Sequence, residues 1–419
     1  MKILLLSQVF YPDVVSVAQH LTDLGFDLST AGHEVTVLCS DRGYDDPTMK
    51  FPAKETRNGV TIRRVAVLGL GKESKLRRVV SAASYFLSSF GSLMMMPRQD
   101  VVVVTPPPPL LSTMAALFVG LRGGRLLYWN MDLNPDEAIA AGWLRADSFT
   151  ARILEAALRY SLRKATGVIV LDRFMKERIV AKGLPEDKLH VLPVWTHDGA
   201  AYYDPAGRES FRKQLGVSDR FVVMYSGNHS PLHPVDTLLQ AALRLRDNPA
   251  IAFVFVGGGS EFARVKAFAR DLNLSNVVCA PYQPLELLAG SLSAADLQVV
   301  LLGDPFVGIV HPCKIYNMLA VGAPFLYIGP GESHITELQQ YPEIARMGRF
   351  VRHGDVNQVV DIITRMASEG NTGEFPRPGR PAALDRFSRE SLVPRMIHFI
   401  EMTRNEGASS SQQERDGCF

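Results

Sequence analysis

Lys314 stands where a fixed cation could hold a phosphate. An apolar, strand-like run, Leu297 to Leu302, leads into Gly308, His311, Pro312 and Lys314, which open a helix-like run from Ile315 to Ala320. Gly322 and Pro324 stop that helix, as a C-terminal glycine and a following proline do. Phe325 to Ile328 is the next apolar run. In an open parallel sheet the loop after a strand's C-terminal end faces the ligand. A helix N-terminus there offers free N–H groups and partial positive charge. A lysine in the first turn opposes the helix dipole unless an anion is near. The stretch therefore predicts a seat for a phosphate or diphosphate, with His311 and Pro312 beside it. Two further strand ends repeat the placement. Phe221 to Tyr225 ends in Ser226, Gly227, Asn228 and His229, and Ala252 to Val256 ends in Gly257, Gly258 and Gly259. Backbone amides at such ends can meet a phosphate; a plain turn is the alternative for both. Glu332, after Gly329-Pro330-Gly331, is in position to reach a ribose or a sugar. Asp132, after the run Leu126 to Trp129, is a candidate base or orienting group for an attacking hydroxyl; the alternative is a turn or N-cap aspartate.

The elements that must hold these residues alternate between strand and helix. Ile3 to Leu6 reads as a buried strand, Ala18 to Thr30 has helical spacing, and Glu34 to Cys39 is the next strand. That is a βαβ unit, which implies a parallel sheet. Val60 to Val67, the four valines Val101 to Val104, Leu126 to Trp129, Gly167 to Leu171 and Val191 to Val194 continue the set. Trp195 to Pro205 has turn chemistry and no periodicity, and marks a linker. After it the pattern restarts with strands at Phe221, Ala252 and Val277. The expected domains are 1–198, with a final helix at 386–404 returning to it, and 199–385; residues 405–419 are polar and expected to be disordered. Both domains read as Rossmann-like, doubly wound α/β units. Asn371 to Pro381 is rich in proline and glycine and is expected to be a loop.

Composition removes several classes of function. Lys+Arg of 45 against Asp+Glu of 43 gives no electrostatic case for nucleic acid. Cys39, Cys279, Cys313 and Cys418 are far apart, with neither CxxC nor zinc spacing, so a reducing cytoplasm and no structural metal are expected. The N-terminal MKILLL reads as a first strand and not as a signal peptide. No G-x-G-x-x-G follows a first strand, and no G-x-S-x-G elbow is present. Lys72, Lys75, Arg77 and Arg78 precede an uncharged run, Val79 to Met96. On a helix, Val79, Ala83, Phe86, Phe90 and Leu93 would share one face and Ser81, Ser84, Ser88 and Ser92 the other. That composition is too polar to span a bilayer. It leaves two readings: a helix packed on the sheet, or a peripheral membrane contact through 72–96.

Several stretches resemble one family. Tyr11-Pro12 before a helix, then Ala31-Gly32-His33-Glu34-Val35, is similar to the opening of family 4 (group 1) glycosyltransferases. Asn58-Gly59-Val60, Asp100 to Pro109, Asp132-Leu133-Asn134-Pro135, Leu192-Pro193 with Trp195, Tyr225 to Asn228, and Pro312-x-Lys314-x-Tyr316 before Leu319-Ala320-x-Gly322-x-Pro324 resemble its colanic-acid and aminosugar transferase subgroup. The resemblance runs over about residues 1–403. It implies a GT-B fold, two Rossmann-like domains facing across a cleft, and transfer of a sugar from a nucleotide diphosphate donor, a UDP-sugar. The acceptor would be lipid-linked or a saccharide, in envelope polysaccharide or glycolipid synthesis at the inner face of the cell membrane. The reaction would be retaining and need no metal or other cofactor. Lys314 and Asp132 would be catalytic. Gly227, Asn228, His229, Gly257, His311, Pro312, Tyr316, Asn317 and Glu332 would hold the donor. The sequence departs from the family at the usual glutamate pair, where Ile309 and Asn317 stand, and at the usual Arg and Lys of the donor domain, where Asn228 and His233 stand. A neutral Asn317 can still hydrogen-bond a ribose hydroxyl. These departures give a second reading, a catalytically silent GT-B-like protein that binds a nucleotide or a partner.

Overall fold

The computed structural model describes residues 1–44, 46–69, 75–197, 199–371 and 379–416. The chain divides into two compact units. One comprises Met1–Val194, Gly308–Val310 and Leu392–Phe419; the other comprises Trp195–Val307 and His311–Ser391.

Among the described residues, the first unit is built on eight strands: β1 (Lys2–Leu6), β2 (Glu34–Ser40), β3 (Lys54–Arg57), β4 (Val60–Val65), β5 (Val101–Val104), β6 (Arg125–Asn130), β7 (Gly167–Val170) and β8 (Leu189–Val191). Their order is β3-β4-β2-β1-β5-β6-β7-β8. All neighbours pair parallel except β3 with β4. That hairpin turns at Asn58 and Gly59, both at positive φ (47° and 77°), the chemistry a two-residue hairpin loop requires. Val101 to Val104 are fully buried, as a strand covered on both faces must be. Helix ends are set by side chains: Ser148 caps the helix Phe149–Lys164 and Asp172 caps Arg173–Ala181.

The helix Lys75–Met94 packs on β2, β4 and the helix Leu111–Arg122, with an inward side that cuts across the apolar and serine faces of its spacing. Tyr85, Ser89 and Leu93 are buried, while Ala83, Leu87 and Phe90 point outward. The serines explain the rotation. Ser81 donates to the Leu68 carbonyl at 2.7 Å, and Ser84 accepts from the Leu68 amide at 3.0 Å. Their hydroxyls satisfy the backbone that follows β4, so they are not a solvent face. Lys72 lies outside the described residues. The last helix, Arg389–Asp416, runs past the expected end at 404. Residues 405–416 continue an existing helix, which removes the nucleation cost for a Gln-, Glu- and Arg-containing stretch. Within the unit, Phe399 stacks on His190 at 3.9 Å, and a Cβ at Gly167 would meet its ring at 2.8 Å.

The second unit has six strands among the described residues: β9 (Phe221–Asn228), β10 (Ile251–Gly258), β11 (Val277–Ala280), β12 (Leu297–Leu301), β13 (Phe325–Ile328) and β14 (Gly348–Val351). All are parallel, in the order β11-β10-β9-β12-β13-β14. The core alternates aromatic and branched residues along the strands, with Phe221, Val223, Tyr225, Phe253 and Phe255 in one cluster. The chain builds outward in both directions from β9 and β12, so the topological switch lies between them. Ligands of doubly wound sheets sit outside the carboxyl ends of strands at such a point. The segments after β9 and β12 are those holding Asn228–His233 and Gly303–Lys314.

Candidate active site

The floor of the site in the second unit is backbone. Gly227 pairs with Gly257, and Asn228 with Gly258, as the last rungs of the β9–β10 ladder. These residues therefore lie at strand ends and are still paired there, where a plain turn was the alternative. Gly227 and Gly257 take φ of 133° and 135°, which side chains other than glycine rarely adopt. A Cβ at Gly257 would collide with the Gly227 carbonyl oxygen. Glycine at both positions thus lets the two strands pair to their ends, with Lys314 against Gly227 and the Tyr282 ring against Gly257 and Gly258.

Lys314 lies over this floor. It is the first residue of the helix Lys314–Ala320. Its Nζ donates to the Tyr225 hydroxyl at 2.8 Å and sits 4.0 Å above the centre of that ring. A Cβ at Gly227 would be 2.8 Å from Nζ. The Tyr225 hydroxyl in turn donates to the Asn228 carbonyl at 2.7 Å. Burial pulls the Lys314 ammonium down to about 7, and no carboxylate among the described residues offsets it. A helix of seven residues has little dipole to offer, so the anion attraction rests on this ammonium.

Two imidazoles line the same region and stay neutral. The His229 amide donates to the Gly258 carbonyl at 2.7 Å, and its Nδ1 lies 3.3 Å from the same oxygen. Its ring packs between Tyr225 and Phe262, each at 4.8 Å, and its Nε2 has no hydrogen-bond partner. Burial, with Lys314 second, holds His229 down to about 4. His233 donates from Nδ1 to the Leu301 carbonyl at 2.9 Å, and burial followed by Lys314 holds it at about 3. The carbonyl partners fix the proton on Nδ1, because a carbonyl oxygen only accepts. His233 therefore ties the end of β12 without adding charge.

The remaining candidates are spread over the unit. His311 and Tyr316 form their own cluster: the Nε2 to hydroxyl distance is 3.0 Å, His311 stacks on His334 at 3.7 Å, and Tyr316 stacks on Phe387 at 4.9 Å. Pro312 is buried beside them, Asn317 is half-buried, and Glu332 is exposed just before the Ser333 cap of the next short helix. Sequence reasoning missed Tyr225 as Lys314's partner, because an aromatic at a strand end reads as core. It also missed Tyr282. That ring is half-exposed, and a Cβ at Gly258 would meet it at 3.0 Å.

In the first unit, Asp132 follows β6, and its backbone bridges Val310. Leu133 donates to the Ile309 carbonyl at 2.9 Å, so the residue standing where the family has a glutamate serves here through its backbone. Burial, and then Glu137, push the Asp132 carboxyl up to about 8; burial also raises Glu137, which accepts from Asn134 at 3.0 Å. Glu137 carried no signal of its own in the sequence. A shallow cavity opens beside the pair, lined by Pro106, Pro108, Leu110, Tyr128, Asn134 and Pro135.

Comparison with known proteins bears on the fold and the family. A family model described as glycosyl transferase 4-like domain matches residues 17–195, and one described as glycosyl transferases group 1 matches residues 207–310. The chain is 25% identical to the putative colanic acid biosynthesis glycosyl transferase WcaI of Escherichia coli, over 82% of this chain and 88% of that one. Among solved structures, sucrose-phosphate synthase from Thermosynechococcus elongatus superimposes with a TM-score of 0.74 at 17% identity, covering 96% of this chain and 99% of that one. The Anabaena protein HepE in complex with UDP-glucose gives 0.68 at 16% identity, covering 98% and 100%. Paired parallel sheets, a lysine over a glycine floor at the second switch point and two consecutive family matches make this chain a member of the group 1 glycosyltransferases, with the GT-B fold.

Proposed function

We propose that this chain transfers a sugar from a UDP-sugar to a lipid-linked or saccharide acceptor in envelope polysaccharide or glycolipid synthesis, at the cytoplasmic face of the membrane. One observation carries the reading: the Lys314 ammonium, pulled down by burial, lies against the strand end at Gly227, and no carboxylate among the described residues neutralises it. A diphosphate supplies the missing charge. The leaving nucleoside diphosphate accumulates negative charge as the glycosidic bond breaks, and a fixed cation in a dry site stabilises that charge. The diphosphate also raises Lys314's affinity for its proton. Neutral His229 and His233 add hydrogen-bonding edges there without competing for the anion. Asn317 and Glu332 would contact the ribose or sugar. Asp132, assisted by Glu137, would orient the acceptor hydroxyl or take its proton. Transfer with retention and without metal is part of the same proposal. The uridine assignment is supported by the likeness to a structure bound to UDP-glucose. The polysaccharide assignment is supported by the name of the Escherichia coli relative.

The test is release of nucleoside diphosphate from UDP-, GDP- and ADP-sugars by the purified chain, with and without a chelator. Release of UDP that survives chelation supports the proposal. A second reading, a silent nucleotide-binding protein, is favoured by Ile309 and Asn317 in place of the family's glutamates. A nucleotide-dependent rise in melting temperature without release from any donor would favour that reading.

A further inference from the structure

Lys314 is a flexible side chain that the fold holds in one place. Its stem lies across the end of β9, where Gly227 leaves room for it: a Cβ there would stand 2.8 Å from Nζ and 3.2 Å from Cε. The ammonium rests on the ring of Tyr225, 4.0 Å from its centre, and donates to the phenol hydroxyl at 2.8 Å. Tyr225 is 0% exposed. Its ring belongs to the core cluster of Phe253 and Phe255, and His229 meets it edge-on at 4.8 Å. Close packing leaves such a ring no room to swing, so the platform under the ammonium is rigid.

The hydroxyl is fixed as well. It donates to the Asn228 carbonyl at 2.7 Å, and a phenol has one proton to give. Towards Lys314 it can only accept. Burial pushes the phenol well above its ordinary range, so it keeps that proton. Asn228 enters this relay by its backbone, at the last rung of the β9–β10 ladder. An ammonium has three protons. One goes to Tyr225, and Lys314 is only half-buried, so two stay open to an anion. A mobile lysine gives up rotamer freedom when it grips a phosphate, and one already fixed does not. We infer that Tyr225 is a positioning residue for the transfer reaction: its ring and hydroxyl set the Lys314 ammonium over the strand end, with two N–H groups left for the donor's diphosphate. The inference rests on the proposed reading of Lys314 as the diphosphate's cation. Positioning counts for more in this chain because Asn228 and His233 stand where the family's usual arginine and lysine would be, and burial keeps the His233 imidazole neutral. The titratable groups that act on Lys314 are Cys313 from the start of its own helix, Tyr225 from β9, and His229 and His233 from the segment after β9.

The experiment compares wild type with Tyr225→Phe, which keeps the ring and removes the hydroxyl. UDP affinity is measured by calorimetry from about pH 6 to about pH 9. At neutral pH the variant should bind UDP about tenfold more weakly, the loss of one hydrogen bond to a charged group. In both proteins affinity should fall as the ammonium loses its proton. The hydroxyl accepts more strongly from an ammonium than from a neutral amine, so its removal disfavours the charged form. The fall should therefore begin at lower pH in the variant. Both proteins keep Cys313, His229 and His233, so the difference between the two profiles reads the hydroxyl. A tyrosine that only fills the core would leave the profile unmoved, and an unmoved profile would overturn the inference while leaving Lys314's own role standing. The melting temperature of the unliganded variant reports its folding. A structure of wild type with UDP reads the contact without any substitution: Nζ should touch a phosphate oxygen and stay within hydrogen-bond reach of the Tyr225 hydroxyl, and an ammonium that has left Tyr225 would overturn the inference. Wild type stabilised by none of UDP, GDP and ADP would overturn the role of Lys314 as well.

Discussion

The two units place oppositely charged groups beyond the carboxyl ends of their strands, and burial drives both toward neutrality. In the first, Asp132 is pushed up to about 8 with Glu137 beside it. In the second, Lys314 is pulled down to about 7 with only Tyr225 for a partner. The same desolvation acts on both, but the remedies differ. A carboxyl that keeps its proton can donate to, or later accept from, a hydroxyl. An ammonium that lacks a counter-ion is completed by an incoming anion. On the proposed reading the hydroxyl-bearing acceptor goes to the first unit and the diphosphate donor to the second.

The strongest way to break this assignment is at Lys314. Lys314→Met keeps the stem and removes the charge. Turnover is expected to fall about 100-fold or more, and a melt with UDP should show no stabilisation. Asp132→Asn sharpens the contrast. It should lower kcat by about 100-fold while leaving the UDP-induced melting shift intact. Its pH profile carries a second reading: activity that needs the carboxylate rises with pH through about 8, and Glu137→Gln should move that inflection lower by removing the neighbouring charge. Gly257→Ala tests the floor without touching a charge. The strained φ and the collision with the Gly227 carbonyl should cost about 1–3 kcal/mol in unfolding free energy, measured by denaturant titration, and should weaken UDP binding.

Stability against pH separates the units by sign. Lys314 is depressed in the fold, so the unfolded chain binds more protons between about 7 and 10.5. Stability should rise with pH across that window, and Lys314→Met should flatten the rise. Asp132 is raised in the fold, so the folded chain binds more protons between 3.8 and about 8. Stability from this group should fall as pH rises there, and Asp132→Asn should remove that slope. Thermal melts of the ligand-free protein across pH read both.

The architecture was legible because buried parallel strands announce themselves: Val101–Val104 is apolar without interruption and Leu297–Leu301 is broken only by Gln298, and glycines and prolines separate them from helices. The helix Leu111–Arg122 was not, because exposed Leu117 and Leu121 make its outward side apolar too and blur any period. For Lys75–Met94 the spacing was visible but which side turns inward was not, since hydroxyls that satisfy Leu68's backbone look like a solvent face in sequence. In the candidate site, Lys314 and the glycines could be found by type and position. Tyr225 and Glu137 could not, because each matters through a neighbour far away in the chain or through shared burial, neither of which spacing records.

The most direct measurement is the melting temperature of wild type, Lys314→Met and Asp132→Asn, each with and without saturating UDP. Binding to the folded state alone raises the midpoint by mass action. The account predicts equal rises for wild type and Asp132→Asn, and none for Lys314→Met. A full rise in Lys314→Met, or its loss in Asp132→Asn, would contradict the assignment of the diphosphate to the lysine and glycine floor of the second unit.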